Sequence, residues 1–405
     1  MLNLTPYRTL FADTELRRIV ASSILPRLPV GMNALGLTLL VQSQTQSFSL
    51  AGLVSAAYMV ALAVQAPIIG RFVDQNGPHR VVIPLAVAHA VALLLLVWAV
   101  TSLASIPVLL AAAFGAGIVF PPVSTTLRAM YRKSGLSEAQ KQTAFATESI
   151  IMECAFVLGP LIVSLAVLAG SPAFAVVASA AFVLYGTWQF ARSGALARWG
   201  VVESGPDVVR HWLGPLKISA VRRALLLSLL MAIGIGLNEI AFPAFANASG
   251  FPARVGWYYA AASIPSAIAG FIYGSHHIQW PLNRQILLGA LWIAAGSVLM
   301  AQCTQTWTFL IASALMGLGF GPMITALSLQ LGKLTPSHYS TEAFTWSTTL
   351  FMIGLGVGFW VGGGLIEYSG WVATLYACVA MMLAAGAWCF AVPDVTHHHH
   401  PSDRT

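Results

Sequence analysis

The sequence predicts an all-α membrane protein: twelve transmembrane helices in two pseudo-symmetric six-helix bundles, with the N- and C-termini cytosolic. Three observations predict it. Only 8% of the 405 residues are charged and 58% are hydrophobic, whereas soluble domains carry roughly 25% charged residues. The apolar residues form blocks long enough to cross a hydrocarbon core. The chain can also be laid against itself at an offset of about half its length.

Residues 81–100 hold no Asp, Glu, Lys or Arg and one histidine, His89; residues 172–190 hold none of these five types. A crossing helix needs roughly 20 apolar residues. Lipid cannot satisfy backbone polar groups, so such runs must be helical. In chain order, spans 1 to 6 are expected at 19–41, 50–70, 81–102, 105–127, 143–169 and 172–193. Spans 7 to 12 follow at 222–246, 253–274, 285–303, 307–330, 341–366 and 371–392. Asp13 and Glu15 precede span 1 and no small-residue cleavage site follows it, so it reads as an uncleaved start and not as a signal peptide.

Basic residues decide the orientation, because Lys and Arg stay on the cytosolic side. With cytosolic termini, 18 of the 20 Lys and Arg are cytosolic; Arg254 falls outside and Arg27 within span 1. The net charge of +7 therefore reflects membrane orientation and gives no reason to expect nucleic acid. The four cysteines all sit in spans and none forms a C-x-x-C pair, which reads as packing.

The repeat defines two halves. At an offset of 204, Gly52, Ala56, Ala57, Gly70 and Arg80 face Gly256, Ala260, Ala261, Gly274 and Arg284. At 205, Gly31 and Asn33 match Gly236 and Asn238; at 199, Ala144, Phe145 and Gly159 match Ala343, Phe344 and Gly358. The offset drifts because loops differ in length. The expected organisation is a first half at 1–193, a cytosolic linker at 194–221, a second half at 222–392 and a His-containing cytosolic tail at 393–405. Internal repeats of this kind point to a transporter with its site between the halves.

The connection between spans 2 and 3 reads Gly70-Arg71-Phe72-Val73-Asp74-Gln75-Asn76-Gly77-Pro78-His79-Arg80. It resembles the signature loop of the major facilitator superfamily, G-x-x-x-D-R-x-G-R-R/K. Gly70, Asp74 and Gly77 match at the family spacing, Gln75 and Pro78 replace two of its cations, and His79 or Arg80 supplies the remaining one. The resemblance implies that Gly70, Asp74, Gly77 and Arg80 form a gating loop that holds one conformation of the two halves. Span 5 carries Gly159-Pro160, similar to the core of a motif in the proton-coupled drug and metabolite exporters of this superfamily. Val163 and Ser164 stand where that pattern has two further glycines. A proline inside a helix removes a backbone bond and bends it, so Gly159 and Pro160 are expected to kink span 5.

An ionisable group within a span costs several kcal/mol and is a functional candidate. Arg27, Glu148, Glu153 and Glu239 are the proton-coupling candidates. Arg27 and the two span 5 carboxylates enter from the same side, at depths of roughly 12, 8 and 15 Å at about 1.5 Å per residue. Glu148 and Glu153 are five positions apart, about 140° around a helix, so they do not share a face. One is expected to pair with Arg27 while the other faces a cavity; a purely structural bridge is the alternative. Glu239 has no cation on its own helix. The resemblance implies that helices 1, 4, 7 and 10 line the cavity, which would bring Asn33, Asn238 and Glu239 near it. A carboxylate at such a position serves as a proton-coupling or cation-binding site.

Arg128, near the cytosolic end of span 4, is a candidate for meeting an anionic substrate or the Asp74 loop. Tyr58, Gln65, Tyr258, Tyr259, Trp346 and Trp360 could offer ring or hydrogen-bonding surface to a solute. His89 reads as packing. His397, His398, His399 and His400 raise transition-metal or metal-chelate transport as an alternative, though the spans offer no paired Met or His ligands. No H-E-x-x-H, G-x-S-x-G or P-loop sequence occurs, so neither an enzyme nor a cofactor is expected.

The expected function is secondary active transport by a monomer in the inner membrane, with protons as coupling ion and a small molecule as cargo. Efflux of a drug-like or metabolite substrate is favoured, and proton-coupled uptake is the alternative. Replacing Asp74 by Asn should lower transport while the yield of folded protein stays unchanged; an unaltered initial flux would exclude a gating role for it.

Overall fold

The computed structural model describes residue 8 and residues 10–134, 136–194, 196, 214–275, 278–336 and 339–393. Twelve helical segments are long and apolar enough to cross a membrane. Spans 1 to 6 run Thr14–Thr45, Phe48–Gln65, Pro78–Thr101, Ile106–Arg128, Thr143–Leu168 and Pro172–Ala191. Spans 7 to 12 run Ser219–Ala248, Pro252–Gly274, Leu282–Ala301, Thr306–Leu334, Glu342–Ser369 and Trp371–Ala391. No strand occurs among the described residues. Outward-facing side chains such as Trp98, Phe271 and Ile311 are more than 60% exposed, an apolar surface of the kind a bilayer covers.

Several local features differ from the sequence expectation, each for a readable reason. Span 1 begins five residues early, at a helix Thr14–Ser22 whose first turn is capped by Asp13 Oδ1, which accepts from the Glu15 and Leu16 amides at 2.8 and 3.3 Å. The helix then breaks at a 3-10 turn, Leu25–Arg27, and resumes over Leu28–Thr45. Pro26 and Pro29 supply no amide to carry an α-helical ladder through that point. Span 4 breaks at residues 119–122, where Pro121 and Pro122 stand, before a second helix, Val123–Lys133.

The connection between spans 2 and 3 is almost entirely helical. The span 2 helix runs Phe48–Asn76 and the next helix starts at Pro78, leaving Gly77 alone between them. Gly77 has φ 78°, which an L side chain rarely adopts, and its amide still donates to the Val73 carbonyl at 2.9 Å. Pro78 suits a first helical turn, where its missing amide goes unused. The expected kink at Pro160 lies inside one unbroken helix, Glu138–Leu168. That helix opens with a capping box between Ser137 and Gln140.

The chain divides into two compact units, Met1–Val208 with Phe251–Gly256, and Val209–Gly250 with Trp257–Thr405. In the first unit span 1 packs on span 5, span 2 on span 4 and span 3 on span 6; in the second, span 7 packs on span 11 and span 9 on span 12. Glycine sets the closest of these approaches. A Cβ on Gly159 would lie 2.6 Å from the carbonyl carbon of Gly31, and one on Gly31 would strike the Ala155 carbonyl. In the second unit a Cβ on Gly358 would lie 2.8 Å from the Cα of Gly236, and one on Gly236 would strike the Leu355 carbonyl. These are the residues that the repeat matched, Gly31 with Gly236 and Gly159 with Gly358.

A further matched pair emerges only from the packing. Gly117 on span 4 abuts the Tyr58 carbonyl of span 2, and Gly317 on span 10 abuts the Ala262 carbonyl of span 8. Small residues at such crossings let helix backbones approach in a solvent that offers no hydrophobic drive between helices. Gly159→Ala or Gly358→Ala should therefore lose about 1–3 kcal/mol through overpacking. Gly115→Ala, where nothing lies within 4 Å of the added carbon, should leave the unfolding midpoint unchanged. Thermal unfolding of the purified variants checks both.

Candidate functional site

The break in span 1 delivers the first candidate. Arg27 closes the 3-10 turn and stands at the N-cap of the helix Leu28–Thr45, with only 1% of its side chain exposed. Its Nη2 donates to Glu148 Oε1 at 2.8 Å, and Glu148 is fully buried. Of the two span 5 carboxylates, Glu148 is thus the one on the Arg27 face. Glu153, five positions on, is exposed on the other side of the helix. Arg128 joins from span 4: its Nε lies 3.9 Å from Glu148 Oε2, and its side chain is 48% exposed. One carboxylate therefore sits between two guanidinium groups, and the cluster carries a net positive charge.

Tyr131 belongs to the same cluster and was missed by the sequence reading. It follows Arg128 by three positions on one helix, a spacing that shares a face. It is fully buried, and its ring meets Phe145 edge-on at a centroid distance of 5.9 Å. Phe145 lies three residues before Glu148 on span 5. Burial, followed by the Glu148 carboxylate, pushes the Tyr131 phenol well up, with Arg27 pulling the other way; it stays a neutral hydroxyl.

Asn33, six positions after Arg27 on span 1, ties three spans together. Its Nδ2 donates to Tyr58 Oη at 2.6 Å, and its Oδ1 accepts from Ser179 Oγ at 2.5 Å. Asn33 and Tyr58 are both buried. Its repeat mate Asn238 donates through Nδ2 to Ser297 Oγ at 3.0 Å, and Ser297 Oγ lies 3.5 Å from Cys378 Sγ. Ser179 and Cys378 are 199 positions apart on spans 6 and 12, the same offset as Gly159 and Gly358. That coincidence was the available sequence signal for both.

Glu239 follows Asn238 on span 7 and is half-buried. Its backbone carbonyl accepts from Tyr259 Oη at 2.9 Å. Among the described residues its carboxylate has no ion pair, and neither has that of Glu153. Beyond Glu239, Phe242, Phe245, Tyr258, Tyr259, Phe309 and Trp371 form a connected set of ring contacts, including a Phe245–Phe309 stack at 3.9 Å.

The remaining candidates are dispersed. Gln65 is buried and donates to the Phe120 carbonyl. Tyr258 is buried, with Oη 3.4 Å from Thr306 Oγ1. Trp346 is half-buried and Trp360 half-exposed, both on span 11. His89 Nδ1 donates to the Ala116 carbonyl at 2.8 Å, and the ring packs edge-on against Phe120. Gly70 and Asp74 lie on the last turns of the span 2 helix, and the Asp74 side chain lies outside what the structure describes; Gly77 makes the turn and Arg80 is exposed. His397, His398, His399 and His400 also lie outside the described residues. Among the described residues no group of three or more His, Cys, Asp or Glu could hold a metal ion.

The sequence profile described as Major Facilitator Superfamily matches residues 21–275 and 224–405. No curated relative matches the chain. Among solved structures, the nucleoside transporter NupG has a TM-score of 0.72 at 12% identity, covering 94% of this chain and 98% of that one. A bacterial homolog of the human lysosomal transporter Spinster, in an inward-facing and occupied conformation, has a TM-score of 0.69 at 13% identity, covering 97% of each chain. The human organic anion transporter MFSD10 (TETRAN) has a TM-score of 0.59 at 16% identity, covering 92% of this chain and 99% of that one. At these identities the likeness is one of fold.

The geometry of the ion pair makes its own prediction. Removing one partner of a buried pair leaves an uncompensated charge and costs about 3–5 kcal/mol, whereas apolar replacement of both is often neutral. Arg27→Gln should therefore yield little folded protein, and Arg27→Met combined with Glu148→Leu should restore it. Size-exclusion profiles and thermal unfolding measure the rescue. Flux through the folded double variant then separates a structural bridge, which leaves transport intact, from a working one, which does not.

Proposed function

The chain belongs to the major facilitator superfamily, and on that premise we propose that it exports a small organic solute across the bacterial inner membrane by alternating access, in exchange for protons. The observation that carries the proton coupling is that two carboxylates well inside their spans, Glu239 and Glu153, have no ion pair among the described residues. An unpaired charge at membrane depth costs several kcal/mol. A proton or a cationic group of the cargo removes that cost, and two ligands competing for one carboxylate give exchange. Glu148 has its partner in Arg27 and is the weaker candidate for carrying a proton.

Outward direction rests on the Gly159-Pro160 core in span 5. Asn33, Asn238, Tyr58, Gln65, Arg128, Tyr258 and Trp346 are the candidate cavity residues. Two of the structural neighbours are a nucleoside transporter and an organic anion transporter, which favours an organic cargo over the transition-metal reading that His397 to His400 raise. The basic residues favour cytosolic termini, and each half being a complete six-helix bundle favours a working monomer.

The test is flux in proteoliposomes under an imposed pH gradient, with a cargo found by ligand-dependent thermal stabilisation. Exchange predicts that cargo moves against the proton flow, and that Glu239→Gln removes most of the pH-gradient dependence while the protein stays folded. Cargo moving with the protons would replace export by uptake. Full retention of pH dependence in Glu239→Gln would take that carboxylate out of the mechanism.

A further inference from the structure

The Arg27 cluster holds more hydrogen-bond donors than its own acceptors can use. Arg27 spends Nη2 on Glu148, yet Nε and Nη1, both buried, meet no acceptor among the described residues. The Tyr131 hydroxyl, also fully buried, has no partner there either. Nε carries one hydrogen, Nη1 two and the phenol one. Against them stands a single unbonded acceptor of the cluster, Glu148 Oε2, which has Arg128 Nε at 3.9 Å. Charge runs the same way as the donor count, with Arg27 and Arg128 facing Glu148 alone. Unmet donors on a buried charged group are costly, and they are not the consequence of a poor ion pair, since the one bond Arg27 makes is short.

We infer that this cluster is an anion-binding site, in which Arg27 Nε and Nη1 and the Tyr131 hydroxyl donate to one anion and the half-exposed Arg128 completes the charge. Bare burial of a bridge does not account for the arrangement, because a bridge alone needs neither the second guanidinium nor a phenol with its hydroxyl free. The chemistry required is that of a small anionic group, either a free inorganic ion or a carboxylate on a larger solute. Glu148 is then the resident competitor for the Arg27 edge. The site lies wholly within the first unit and depends neither on the direction of transport nor on its coupling.

The experiment is thermal unfolding of the purified full-length protein, titrated with sodium chloride, with sodium benzoate and with neutral benzamide. Wild type is compared with Tyr131→Phe and Arg128→Gln at equal ionic strength. The expected result is a saturating rise in the unfolding midpoint with an anion but not with benzamide. The half-saturating concentration should be about tenfold higher in each variant, through the loss of one hydrogen bond to a charged group in Tyr131→Phe and of one facing cation in Arg128→Gln. Glu148→Gln, if it folds, should bind the anion more tightly, which a merely structural carboxylate would not produce. A response to chloride alone identifies a resident inorganic ion. A response to benzoate that chloride weakens identifies the anionic group of a solute. Equal shifts in wild type and both variants, a benzamide response matching that of benzoate, or no anion response at all would overturn the site and leave water as the partner of these donors.

Discussion

The close crossing of helices at glycine is the constraint on which the rest of this structure depends. Between apolar helices in lipid there is no hydrophobic drive, so packing distance has to supply the attraction. Gly31 against Gly159 and Gly236 against Gly358 bring spans 1 and 5, and 7 and 11, to backbone contact. Gly117 and Gly317 do the same for spans 2 and 4, and 8 and 10. Two polar contacts of the first unit follow from the packing around span 1. Glu148 reaches Arg27 because span 5 lies against span 1 at the Gly31–Gly159 contact, and Ser179 reaches Asn33 because span 6 closes on the same helix.

The two units share a frame but divide their chemistry. At the repeat offsets of 205 and 199, Arg27 and Glu148 correspond to Ala232 and Ser347. The second unit therefore has no copy of the buried pair; there Glu239 stands inside span 7 without an ion pair among the described residues. The asparagine pair is the reverse case. Asn33 and Asn238 keep the same residue and reach different partners, Tyr58 and Ser179 in one unit and Ser297 in the other. Packing positions repeat because both halves solve the same helix-crossing problem. Charged positions differ because each ion in a membrane is costly and is kept only where it has a use.

Local chain chemistry explains where the helices deviate from simple rods. Prolines at 26 and 29, and at 121 and 122, interrupt spans 1 and 4 at levels where polar side chains collect: Arg27 closes one break, and Thr126, Arg128 and Tyr131 follow the other. Pro160, by contrast, sits within a continuous helix. A proline's sequence position tells that a backbone bond is lost, but neighbouring helices decide whether the loss becomes a break.

The sequence by itself determined the number of spans, the two halves and the presence of a cation–carboxylate pair between spans 1 and 5. These follow from composition, spacing and the cost of charge in lipid, all of which are local or additive along the chain. It left open whether Glu148 or Glu153 would be Arg27's partner, since helical spacing showed only that the two face different ways. It did not reveal Tyr131, Ser179 or Ser297: apart from the 199-position spacing of Ser179 and Cys378, an aromatic or a serine in an apolar helix carries no signal until its neighbours are known. It also treated residues 71–80 as a loop, where a single glycine suffices to turn the chain. Apart from the Gly77 turn, which is local, the rotation and approach of each helix against the next decided these points, through contacts such as Gly31–Gly159 that join residues distant in sequence.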